Sequence, residues 1–206
     1  MPCSGKRISF GSYHFDVSED VYEPAEDSFL FAENLEVKAG GVVLDLGTGS
    51  GILAVLAARK AGTVVAVDVN PYAIRCAKAN AALNRVEGKL SFLQANLFSA
   101  FDVQAKFDVI LFNAPYLPSE KGEDATWIGR SWAGGVSGRE VVDRFIVEVP
   151  KYLKSNGRIL LMQSTLTGVQ ESINGFSAVN LKATVKATQK LPFFETLTLI
   201  EAKGDL

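Results

Sequence analysis

Short apolar runs alternate with helix-compatible stretches through this chain, and that alternation constrains its fold more than any other feature. Residues 42–46 (VVLDL), 63–69, 90–95, 107–112 and 158–163 read as strands. Residues 52–61, 71–84 and 138–153 read as helices, with a weaker one over 169–174. Strands that are apolar at nearly every position are buried on both faces, as in a parallel sheet covered by helices. Asn70 before Pro71 supplies a helix cap followed by proline at its favoured first position. Pro150 should bend the last turn of the 138–153 helix. Two alternating segments, 181–188 and 196–202, are joined only by a short stretch around Pro192. No crossover helix fits there, so one of them must run antiparallel. The expected fold is α/β, a doubly wound, Rossmann-like sheet of seven strands, mostly parallel with one antiparallel strand.

A length of 206 residues suits one domain spanning 1–206. Two segments, 1–24 and 117–137, match neither a strand nor a helix. A loop as long as the second, inside a compact domain, usually has a function, and Trp127 and Trp132 favour an ordered one. The formal charge of −2 gives no global basic field for nucleic acid. Cys3 and Cys76 are too few for a disulfide framework or a cysteine zinc site, and no metal site is expected. The only histidine is His14, which removes the usual base for a Ser-His or Cys-His nucleophile. Neither a signal peptide nor a bilayer-spanning run is read, so a cytoplasmic enzyme is expected.

The stretch LDLGTGSGIL occupies the first strand-to-helix turn. A dinucleotide fingerprint, G-x-G-x-x-G counted from Gly47, would need glycine at the position held by Ile52. The pattern is instead Asp45-x-Gly47-x-Gly49-x-Gly51, with a carboxylate facing the loop. A phosphate would be repelled there, whereas a cationic ligand would be attracted. Asp68 ends the second strand, where an acid commonly accepts from both ribose hydroxyls. A ligand with a ribose, a positive charge and no phosphate is S-adenosylmethionine. After the third strand, Asn96 could accept from an adenine amine while Val69 and Leu97 cover the ring faces. As single features these are also ordinary turn residues.

At the end of the fourth strand stands FDVILFNAPYLP. The Asn113 side-chain oxygen and the Ala114 carbonyl can accept both hydrogens of a planar NH2 group. Two acceptors orient such a nitrogen and favour positive charge building on it during attack. Pro115 stiffens the turn and Tyr116 offers a flat face. The residues alone leave the acceptor open among side-chain amides, exocyclic base amines and lysine.

NAPY resembles the N-P-P-Y motif of amino methyltransferases. Together with DVYEPAEDSFLF (20–31), LDLGTGSG and WAGGVSGREVVDRF (132–145), it is similar to the HemK-type protein glutamine methyltransferases, in their short archaeal and eukaryotic form. The resemblance implies a class I methyltransferase fold using S-adenosylmethionine. It implies that the amino-terminal segment, 1–40, contributes Ser28 to the donor site. Asp45, Gly47, Gly49, Asp68, Val69, Asn96, Leu97 and Asn113 would complete that site. Asn113, Ala114, Pro115 and Tyr116 would form the catalytic motif, and 117–137 a substrate loop. The implied substrate is the glutamine of a Gly-Gly-Gln loop in a peptide-chain release factor, with a small zinc-binding activator subunit as partner. Ala114 replaces the family's first proline but keeps the backbone carbonyl. Asn96 stands where an aspartate is common.

Overall fold

The computed structural model describes residues 5–120 and 122–204; Cys3 lies outside them. A seven-stranded sheet forms the centre, built from β3 (Val42–Leu46), β4 (Thr63–Asp68), β5 (Leu90–Gln94), β6 (Phe107–Asn113), β7 (Leu153–Ser164), β8 (Leu181–Lys190) and β9 (Thr196–Gly204). Their order across the sheet is β5-β4-β3-β6-β7-β9-β8. All pairings through β7 are parallel, and β9 alone runs against both of its neighbours. The helices are α1 (Glu26–Glu33), α2 (Ile52–Ala58), α3 (Pro71–Leu83), α4 (Trp127–Arg130), α5 (Glu140–Glu148) and α6 (Val169–Ala178). Two apolar clusters fill the two faces: one gathers Phe31, Val43, Val55 and Leu111, the other Leu44, Ile110, Phe112 and Phe145. Consecutive residues of β3 and β6 thus bury on opposite sides, as their unbroken apolar runs require.

Strand order reverses between β3 and β6. A ligand crevice belongs outside the carboxyl ends of strands at such a switch point.

Three expectations need correction. Residues 6–17, read as unstructured, form a hairpin of β1 (Lys6–Phe10) and β2 (Tyr13–Val17) around Gly11 and Ser12. Gly-Ser between alternating runs is a hairpin signal, and Gly11 sits at φ +57°. The hairpin is fastened by α3: Asn80 accepts from the Asp16 N–H at 2.9 Å and donates to its carbonyl at 2.9 Å. Second, the 138–153 helix is only α5, because Pro150 lies in a separate 3-10 turn, Val149–Tyr152, and Leu153 already begins β7. Third, the 117–137 stretch is not structureless. It holds a 3-10 turn, the short α4 and a bridge between Leu117 and Ala133.

Candidate active site

The carboxyl ends of β3, β4, β5 and β6 open into a cavity of about 1050 Å³. That is the upper end of the range for small-ligand sites, enough for a nucleoside-sized donor beside an acceptor side chain. Among the residues read from sequence, Ser28, Gly47, Gly49, Asp68, Val69, Asn96, Leu97, Asn113, Ala114, Pro115 and Tyr116 all border it. Asp45 does not.

On one side, the chain leaves β3 through a loop with Gly47 at φ +64° and Gly51 at φ +84°. A Cβ on Gly51 would lie 2.9 Å from Ala77 of α3, so this glycine serves helix packing. Asp45 is buried behind the loop, where its Oδ2 accepts from the Thr48 hydroxyl at 2.7 Å and its Oδ1 has no partner. Burial pushes its carboxyl up to about 7, the Thr48 bond opposing the shift and the negative charge of Asp68 adding to it. Asp68 holds the loop in place. Its Oδ2 accepts from the Gly49 N–H at 2.9 Å and its Oδ1 from the Asn70 N–H at 2.9 Å. Each oxygen keeps a second lone pair for a hydroxyl. Burial raises the Asp68 carboxyl too, against those backbone bonds. Across the cavity, Asn96 is exposed and its side-chain oxygen accepts from the Arg144 guanidinium, a partner the sequence did not suggest.

On the other side, β6 carries Asn113 to its last position. The Asn113 amide nitrogen donates to Asp27 Oδ2 at 3.1 Å and to Ser28 Oγ at 3.3 Å. An ionised carboxylate only accepts, so Asp27 forces the amide's NH2 toward itself. The Asn113 oxygen is then turned away, buried and without a partner. Asp27 also takes the Tyr22 hydroxyl at 3.1 Å, the Tyr116 hydroxyl at 3.5 Å and the Ser28 N–H at 2.6 Å. Burial, and next the Asp27 charge, push both phenols above their usual range, so both stay neutral donors. Sequence reasoning singled out Ser28 in EPAEDS and passed over its neighbour. An acid in the first turn of α1 reads as an ordinary helix-dipole partner.

One wall of the cavity is the 117–137 loop folded back on itself. The Leu117 N–H donates to the Trp132 carbonyl at 3.0 Å, and the Gly134 N–H to the Leu117 carbonyl at 2.8 Å. WAGGVSGRE supplies the close packing. A Cβ on Gly138 (φ +71°) would lie 2.6 Å from the Tyr116 carbonyl. Arg139 pins this corner by donating to the Thr167 and Gly168 carbonyls at 2.7 Å each.

The glycine loop and Asp68 line the cavity, and the buried Asp45 carboxyl, its Oδ1 unpartnered, lies behind them, an arrangement of negative charge and acceptors for a cationic nucleoside. They fit S-adenosylmethionine: unpaired buried acceptors are costly unless a ligand supplies hydrogens. The methyltransferase small domain family matches residues 22–128. A Methanocaldococcus jannaschii protein assigned to N5-glutamine methyl transfer is 44% identical over 182 residues, covering 87% of this chain and 90% of the relative. The chain belongs to the HemK-type methyltransferases. The human methyltransferase HEMK2 is 32% identical, with 88% of this chain and 89% of that one covered. Mtq2 from the E. cuniculi Mtq2–Trm112 complex, responsible for methylating the termination factor eRF1, has the same fold. Its TM-score is 0.72 at 24% identity, over 90% of this chain and 99% of that one. As a HemK-type enzyme, this protein uses S-adenosylmethionine as its methyl donor.

Proposed function

We propose that this enzyme methylates the side-chain amide nitrogen of the glutamine in a Gly-Gly-Gln loop of a peptide-chain release factor. The observation that carries the reading is the Asn113 oxygen, oriented by Asp27 and lacking any partner at the wall of the cavity. The glutamine chemistry named for the M. jannaschii relative and the eRF1 methylation by the E. cuniculi complex support the acceptor class.

Bound donor would supply an electrophilic methyl group on a sulfonium. Asp68 would hold the ribose hydroxyls, Asp45 and Gly47 the methionine part, and Asn96, Leu97 and Val69 the adenine. Asn113 Oδ1 and the Ala114 carbonyl would accept the two hydrogens of the substrate NH2. This points the nitrogen at the methyl and stabilises the positive charge that grows on it as its lone pair leaves the amide resonance. The Tyr116 ring would support the planar amide. As the nitrogen–methyl bond forms, the sulfonium carbon–sulfur bond would break and leave a neutral thioether. The methylated nitrogen, strongly acidic, would lose its extra proton to water, so no dedicated base is needed.

A glutamine side chain is short, so the peptide must come close to the wall. Flanking glycines permit that because they carry no side chains. The reading includes cytoplasmic action and a small activator subunit that carries its own zinc. No helix among the described residues is long and apolar enough to cross a membrane. Mass spectrometry of a release factor incubated with enzyme, activator and labelled donor tests the proposal. Label on the motif glutamine is expected, and none on a Gln→Glu variant, which offers no nitrogen. Undiminished labelling of that variant, or efficient labelling of RNA alone, refutes it.

A further inference from the structure

The connection between β8 and β9 ends in two consecutive phenylalanines that the core does not use. Phe193 is 95% exposed and Phe194 103%. Both have left-handed backbone, at φ +61° and +66°. A turn of this shape favours glycine or asparagine, and a bulky side chain in it is strained. Neither burial nor turn geometry therefore accounts for phenylalanine here. The turn itself is well defined, because the Leu191 N–H donates to the Glu195 carbonyl at 2.8 Å.

Register places this tip at the same end of the sheet as Asn113. Asn113 is level with Met162 in the β6–β7 pairing, and two residues further on Ser164 pairs with Leu197. The Thr196 N–H then donates to the Thr165 hydroxyl at 3.0 Å. The tip thus projects from the same sheet edge as Asn113, past the end of β7. Glu195 is close enough to Tyr116 for its charge to act on that phenol, and Leu191 packs on the cluster that contains Tyr116.

We propose that Phe193 and Phe194 are an apolar docking wedge for the folded protein that carries the acceptor glutamine. The inference rests on the proposed function. A protein whose glutamine enters this cavity must lie over the carboxyl ends of the strands, and the wedge projects from that same side of the sheet. Anchoring away from the reacting atoms supplies affinity that a two-glycine loop, with no side chains to grip, cannot.

The test is the F193N/F194G double variant, chosen because Asn-Gly suits the left-handed turn and so preserves the fold. Kinetics use intact release factor with activator and saturating donor. The KM for the factor should rise at least tenfold, with kcat within twofold, donor affinity unchanged and thermal midpoint equal or higher. A KM within twofold of the unmodified enzyme overturns the wedge alone. So does loss of activator binding, or of self-association, with KM preserved, since the tip would then serve that other partner. An unmodified enzyme inert toward every release factor overturns the proposed function and the wedge together.

Discussion

Replacing Asp27 by asparagine should invert the polarity of the acceptor site without emptying it. Asp27 Oδ1 takes the Ser28 N–H at 2.6 Å and the Tyr22 hydroxyl at 3.1 Å, so the new amide keeps its oxygen there. Its NH2 then faces the Asn113 NH2, now 3.1 Å from Oδ2, and two donors cannot share that space. Asn113 relieves the clash by turning over, which presents hydrogens where substrate hydrogens must bind. Loss of one oriented group at the reacting centre typically costs about 2.7–4 kcal/mol, or about 10²–10³ in kcat. Asp27→Asn should fall in that range and match Asn113→Ala, with donor affinity nearly unchanged in both. In the Asn113→Ala background the same Asp27→Asn change should cost less than about threefold, since no amide is left to misorient. Initial rates at saturating donor and release factor, with calorimetric titration of the donor, complete the cycle. Equal losses in both backgrounds would show that Asp27 acts on substrate directly and would refute the orienting role.

Asp68→Asn keeps one oxygen for the Gly49 or Asn70 N–H but loses the charge, and should weaken donor binding by about 1.5–3 kcal/mol, about ten- to a hundredfold; unchanged affinity by titration in the folded variant would remove Asp68 from the donor site. Asp45, raised by burial from 3.8 to about 7, binds its proton more tightly folded than unfolded, so its contribution to ligand-free stability is present below about pH 4 and is lost as pH rises through 7. A cationic donor selects the ionised form, so donor affinity should climb through pH 7 and level off above it, and Asp45→Asn should flatten that profile in titrations between about pH 5.5 and 8.5. Gly138→Ala would set a Cβ 2.6 Å from the Tyr116 carbonyl at φ +71°, and should cost about 1–3 kcal/mol in thermal or urea unfolding and lower kcat by shifting Tyr116.

The central sheet was legible because its strands are short, apolar throughout and separated by helical spacing. The brevity of the Pro192 connection alone implied that one of the last two strands runs antiparallel, and β9 does. The amino-terminal hairpin was missed for a different reason. It is fastened by Asn80 on α3 and by Asn84 at that helix's carboxyl-terminal cap, more than sixty residues away, which take the place of a further strand. No local pattern announces such a partner. The β7 strand was read too short because Lys154, Ser155, Asn156 and Gly157 look like a turn, yet they continue the strand from Leu153, and Lys154 gains an ion pair with Asp108 at 2.7 Å.

Within the site, position along the strands was readable and polarity was not. Asn113 stands at a strand end by sequence alone, but which way its amide faces is decided by Asp27, eighty-six residues earlier. A carboxylate next to an amide could have been a general base. Here its lone pairs are filled by Tyr22, Tyr116, Ser28 and Asn113, leaving it no role in taking a proton from substrate. That arrangement suits an amide nucleophile in particular. Such a nitrogen needs no deprotonation before attack, only alignment and a place for its positive charge to form. A lysine acceptor arrives as an ammonium at neutral pH and would need the very base that Asp27, so occupied, cannot be. The hydrogen bonds around Asp27 therefore argue for a planar amide nitrogen over a lysine amine, independently of any likeness to other proteins.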